Sequence, residues 1–253
     1  MRLRFGIFLA AFPLVISSCS MPEEKPAPTL EERIREDNQK GEKLSTEFEE
    51  KIQIKSDTEI TVYLRSIAVK LSQSQPELKV APVGVFLVSN EAQRWRNYSL
   101  PGNRIYISVN LLKEIEFENE AAAAIAIELS HIYKRWVLER SQPKNSPESN
   151  SPIVAARPTF FGEHSLFEYS DVEWNESLTE AVKLMYRAGY DPRGMVTLLK
   201  KYEKKGKASP FSAKKINLLL EGVRSTVVSL APLRNPVVRT EAFMNLRQRI
   251  DRL

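Results

Sequence analysis

The chain has 253 residues, enough to bury a sizeable core as one large domain or two small ones. Its 42% hydrophobic and 27% charged residues are those of an ordinary globular protein and argue against general disorder. The net charge of +5 is modest, and much of it sits in one late run, KKYEKKGKASPFSAKK at 200–215. That run has no arginine–aromatic interleaving. It reads as a solvated helix end and loop, with no nucleic-acid partner expected, though it could rest against anionic lipid headgroups.

The chain opens MRLRFGIFLAAFPLVISSCSMPEEK. Arg2 and Arg4 form a charged start, and residues 5–16 form an apolar stretch too short to span a bilayer as a mature helix. Ser17 and Ser18 then lead into Cys19, the only cysteine. This order resembles a bacterial lipoprotein signal with Ile16-Ser17-Ser18-Cys19 as its lipobox. The resemblance implies cleavage before Cys19, lipidation of that residue and a membrane tether. Ser20, rather than an aspartate, follows it, which by analogy favours the periplasmic face of the outer membrane. An acylated Cys19 leaves no thiol, so no disulfide would support the fold. The expected layout is a signal at 1–18, a Pro- and charge-rich tether at 19–29, and a single domain at 30–253.

Within that domain, residues 30–78 read as helical, with Ser45 and Asp57 as candidate caps. VGVFLVSN (83–90) and RIYISV (104–109) are β-branched and aromatic, with the turn signal LPGN between them. They predict a small antiparallel β-sheet. An alanine-rich helix is predicted over 118–138, followed by SQPKNSPESNSP (141–152), a low-complexity segment that reads as a mobile loop. Further helices are expected from Asp171, after Asp191-Pro192, and over the final TEAFMNLRQRIDRL. No repeat of solenoid period is present. The fold class is α+β and helix-rich.

The alanine-rich helix contains I-E-L-S-H, with Ile127, Glu128 and His131. A helix presents residues four apart on one face, which in H-E-x-x-H lets two imidazoles hold one zinc while the glutamate polarises water. Taken alone, E-x-x-H reads more readily as a core-facing helix with one satisfied histidine. The surrounding residues change that balance. Leu100-Pro101-Gly102, Ile105-Tyr106-Ile107, Leu111-Leu112 and Glu120 precede the motif in order, and AGYDP (188–192) follows it. Together these resemble the HtpX- and BepA-like zinc metallopeptidases, gluzincins of metallopeptidase family forty-eight, over about residues 56–202. The resemblance implies a metallopeptidase-like domain, Glu128 as candidate general base, and His131 and Glu176 as remaining zinc ligands. Glu176 stands thirteen residues before Gly189, the spacing of the family's third ligand.

The departures from the family are consistent with one another. Ile127 replaces a ligand, Ser177 and Leu178 replace an Ala-Asp pair, and Arg234-Asn235-Pro236 stands where the family often has T-H-P. Loss of supporting groups alone typically costs ~10- to 100-fold in metal affinity or activity. His164, the only other histidine, is a candidate substitute ligand if its loop folds over the site, although a surface or packing histidine is the commoner case. Asp171 and Glu173 near a helix start read as dipole partners. The expectation is a pseudopeptidase of the envelope, with zinc weak or absent, that binds protein or peptide clients. An active zinc endopeptidase with a substitute ligand is the alternative. A peptide groove beside the RIYISV strand, expected to lie at a sheet edge, would favour binding.

Overall fold

A computed structural model of the protein describes residues 28–79, 82–91, 93–141, 159–162, 165–206 and 209–253. The signal with Cys19, most of the tether, His164 and nearly all of the 141–152 segment lie outside the described residues.

Helix α1 (Leu30–Glu49) starts at a capping box in which Glu32 N–H donates to Thr29 Oγ1 and Thr29 N–H donates to Glu32 Oε2. Ser45 is therefore not a cap. It is buried inside α1 and its hydroxyl donates to the Glu42 carbonyl. A short strand that the sequence reading missed, β1 (Gln53–Lys55), follows. Asp57 does cap α2 (Thr58–Ser72), accepting from Ile60 N–H at 3.1 Å, and its carboxylate also receives Arg249 Nε at 2.7 Å. After the short α3 (Pro76–Lys79) come β2 (Gly84–Ser89), β3 (Tyr98–Leu100) and β4 (Arg104–Ser108).

The sheet order is β1-β2-β4-β3, and the sheet is mixed. β2 and β4 run parallel, from Gly84 opposite Arg104 to Val88 opposite Ser108, which corrects the antiparallel expectation. The physical reason is where the turn falls. Pro101-Gly102-Asn103 closes a hairpin between β3 and β4, with Gly102 at φ 77° and Asn103 at φ 55°. β3, which follows β2 in the chain, lies outside β4 in the sheet. RIYIS is thus an inner strand, paired on both sides, and the edge beside it is β3.

The sheet's faces serve two cores. Val85, Leu87, Ile105 and Ile107 join the main core with α2 and α5. Tyr98, Leu100 and Tyr106 face a second, aromatic core around Phe48 of α1, which also takes Phe160 and Phe167. Every buried apolar side chain of both cores lies between Phe48 and Ile250, so a chain starting at residue 20 keeps all of them.

After α4 (Val109–Glu114), helix α5 (Glu118–Lys134) is buried without interruption from Glu118 to His131. Glu120 opens it by accepting Glu116 N–H at 2.8 Å and Phe117 N–H at 3.3 Å. Its predicted extent to 138 is broken at Arg135, which takes a left-handed conformation (φ 60°, ψ 16°) before α6 (Trp136–Ser141). α7 (Asp171–Arg187) and α8 (Arg193–Lys204) pack against α5. α9 (Ala213–Ser229), which the sequence reading also missed, packs on α7 and α8. α10 (Glu241–Ile250) closes the far side against α2.

Two substitutions test this packing. A Cβ on Gly41 would lie 1.9 Å from the Pro101 carbonyl oxygen, because α1 rests directly on the hairpin turn. Gly41→Ala should therefore destabilise by about 1–3 kcal/mol, instead of giving the ~1 kcal/mol gain that helix propensity alone would bring. Equal or higher stability in urea unfolding would contradict this contact. At Asp57, burial raises the carboxyl pKa, but Ile60 N–H and the Arg249 guanidinium outweigh it and leave the pKa below its ordinary value. Its contribution is therefore complete above the unfolded carboxylate pKa and is lost as pH falls through the lower folded one. Asp57→Ala should cost about 1 kcal/mol at pH 7 and flatten the acid side of the stability profile.

Candidate functional site

The residues singled out by I-E-L-S-H occupy the last two turns of α5, and the structure separates their fates. Ile127 is 4% exposed and belongs to the main core. Glu128 and His131 are also buried, and the two meet, with His131 Nδ1 3.3 Å from Glu128 Oε2. Which of the two atoms donates is set by the imidazole tautomer. Nε2, the other ring nitrogen, is buried and has no hydrogen-bond partner among the described residues.

The imidazole lies in an aromatic box. Tyr169 stacks on it at 4.1 Å between centroids and 23° between planes. Trp174 of α7 meets it edge-on at 5.1 Å, and Trp136 of α6 stands at 5.9 Å. Tyr169 is held over the helix by its own segment, where the Arg96 guanidinium donates to the Phe167 carbonyl. The Glu128 carboxylate lies among further tyrosines. Burial raises the Tyr98 phenol to about 12, with the Glu128 charge adding to the rise and Arg96 opposing it. Tyr169 and Tyr202 are raised further by burial first and Glu128 second.

Glu176 is not part of this cluster. Its side chain is 48% exposed and takes Lys134 Nζ at 2.8 Å across the α5–α7 contact. The residues that α7 buries at this turn are Ser177 and Leu178. Such an exposed pair is worth under about 1 kcal/mol, so it orients Glu176 without locking it. Asp171 and Glu173 have structural partners: Glu173 completes a capping box with Ser170 and pairs with Arg140, and Asp171 pairs with Lys215. Arg234 and Asn235 are exposed.

A catalytic zinc needs three protein ligands and an open position. Among the described residues no group of three or more His, Cys, Asp or Glu is close enough to hold a metal ion. The chamber lined by His131, Ser99, Leu100 and Asp37 measures about 10 Å³, the scale of one water molecule. Ser99 Oγ and Asp37 Oδ1, like His131 Nε2, are buried without an aligned hydrogen bond, so its walls are polar. These described donors do not fit a zinc site: one imidazole is present, its face is covered by Tyr169, and the nearest carboxylate occupies Nδ1. His164 lies outside the described residues.

All three residues of β3 are buried, and its aromatic face is packed by Phe48, Phe161 and Phe167. The convergence of Tyr169, Trp174 and Trp136 on one histidine had no local signal in the sequence. Nor did the Lys134–Glu176 pair, whose members are 42 residues apart.

In comparisons with known proteins, the chain matches no protein-family model and no curated protein.

The tyrosine cluster gives a direct readout of the site. Folded Tyr98 holds its proton to about pH 12, whereas an unfolded tyrosine releases it near 10. The stability it contributes is present below pH 10 and declines as pH rises from there through 12. Phenolate absorbance should lag that of the urea-unfolded chain, and Tyr98→Phe should remove part of the delayed signal. Titration of the folded and unfolded chains along one curve would rule this environment out.

Proposed function

We propose that this chain is a metallopeptidase-like pseudoenzyme of the bacterial envelope that binds protein or peptide clients without zinc chemistry. The observation that carries the reading is the closed Glu128–His131 pair, with the imidazole covered by Tyr169 and Glu176 turned out to Lys134. In the family this chain resembles, those same side chains would converge on a metal. Here each has a partner within the protein. Ile127 adds apolar burial of a kind worth about 1.5–3 kcal/mol where a ligand would stand. Such a helix end favours stability over an open coordination position.

The envelope assignment rests on the lipobox-like Ile16-Ser17-Ser18-Cys19, through which the mature chain would be held at the periplasmic face of the outer membrane. No helix among the described residues is long and apolar enough to cross a membrane. The second reading, an active zinc endopeptidase, draws on the retained Glu128 and would need His164 or another group as a substitute ligand.

Zinc content decides between them. Wild-type protein should purify with far less than one zinc per chain. Ile127→His combined with Lys134→Ala, which restores the imidazole and frees Glu176, should raise it, as read by elemental analysis. Near-stoichiometric zinc in the wild type, lost on Glu176→Ala, would overturn the pseudoenzyme reading and support the endopeptidase.

A further inference from the structure

Beyond the closed pair lies a larger opening. α1 and the C-terminal end of α5 enclose a cavity of about 340 Å³, within the size range of small-ligand sites. Three cations line it, Arg33, Lys134 and Arg135, against one carboxylate, Asp37. Its apolar wall includes Leu30, Ile34 and Ile132.

The cations are not equivalent. Lys134 and Arg135 stand at the carbonyl end of α5, where positive charge is favourable in any helix, and each has a carboxylate partner. Arg135 reaches Asp37 at 2.9 Å from a left-handed backbone conformation, which costs a non-glycine residue about 1 kcal/mol. That contact gives the one acid in the cavity a partner, although burial still leaves its carboxyl pKa above the ordinary value. Arg33 is different, because its Nε is buried and has no hydrogen-bond partner among the described residues. A buried guanidinium N–H without an acceptor is costly, and its fork geometry suits a carboxylate.

We propose that this cavity binds an apolar carboxylate through Arg33, with the ligand's hydrocarbon part against Leu30, Ile34 and Ile132. The C-terminal residue of a polypeptide is the source that fits, since it presents a carboxylate one bond from the carbon bearing its side chain. This deepens the client-binding reading above and rests on it for the choice of a peptide over a fatty acid.

Calorimetry on a chain starting at residue 20 tests it with three probes: N-acetyl-Ala-Ala-Leu as the free acid, the same peptide as its C-terminal amide, and octanoate. The acid should bind at least about tenfold more tightly than the amide. Arg33→Met should remove that preference while circular dichroism stays unchanged. Ile34→Trp, which fills the cavity from its apolar wall, should weaken the acid with Arg33 intact, so a folding defect in one variant does not decide the outcome. Octanoate binding with the peptide acid silent would keep the site but overturn the peptide source. Equal binding of acid and amide, or binding of none of the three, would overturn the site itself. Zinc content is read separately, so a metal found in the wild type would overturn the pseudoenzyme reading and leave the acid–amide comparison intact.

Discussion

The fold depends on the burial of α5 from Glu118 to His131. A helix enclosed from Glu118 to His131 must be apolar or small over most of its surface, and its polar members need partners inside the protein. The alanine run meets the first condition and lets α2, α7 and α8 approach closely. Separate devices meet the second. Glu118 accepts from Tyr190 and Thr240, Glu120 accepts from two backbone N–H groups, and Glu128 pairs with His131. The outer elements are arranged around those needs: α10 brings its cap residue Thr240 to Glu118, and α8 brings Lys201 within 3.5 Å of Glu120.

The same constraint explains the character of the candidate site. At the end of a buried helix, a carboxylate and an imidazole without metal are tolerable if they hydrogen-bond to each other and if apolar surface covers the rest. Glu128 and His131 pair, and Tyr169, Trp174 and Trp136 cover. In such surroundings phenols resist ionisation, which accounts for the raised values at Tyr98, Tyr169 and Tyr202. Outside the box, Lys134 and Glu176 behave as an ordinary solvated pair. Burial and exposure are thus divided within four residues, between His131 and Lys134, at the point where α5 leaves the core.

Arg135 marks the end of that transition. Its left-handed backbone separates α5 from α6, directs the chain so that Trp136 reaches His131, and sets a guanidinium beside Asp37 of α1. One residue therefore links the closed aromatic box to the open cavity under α1. Gly41 and the Pro101-Gly102 turn fix the opposite wall by bringing α1 against the hairpin at backbone distance. The cavity is a product of helix placement, and its lining residues are scattered from Leu30 to Arg135.

The sequence by itself determined the long helices with clear periodicity and caps. α5 followed from its alanine run, α7 from its start at Asp171, and α8 from Asp191-Pro192, because helix signals are local and repeat within a few residues. It also determined that Ile127 carries no metal-binding atom, which is chemistry of one side chain. It did not determine β1, three residues whose strand identity comes from pairing with β2, or α9, whose buried face is defined by α7 and α8. Parallel pairing of β2 with β4 was hidden for the same reason, since strand direction depends on β3 taking the place outside β4. Only the tertiary structure decided that His131 meets Glu128 under Tyr169, that Glu176 turns to Lys134, and that Arg33 lines a cavity. Each joins residues from elements whose relative placement is set by burying α5, and no short stretch of chain encodes that placement.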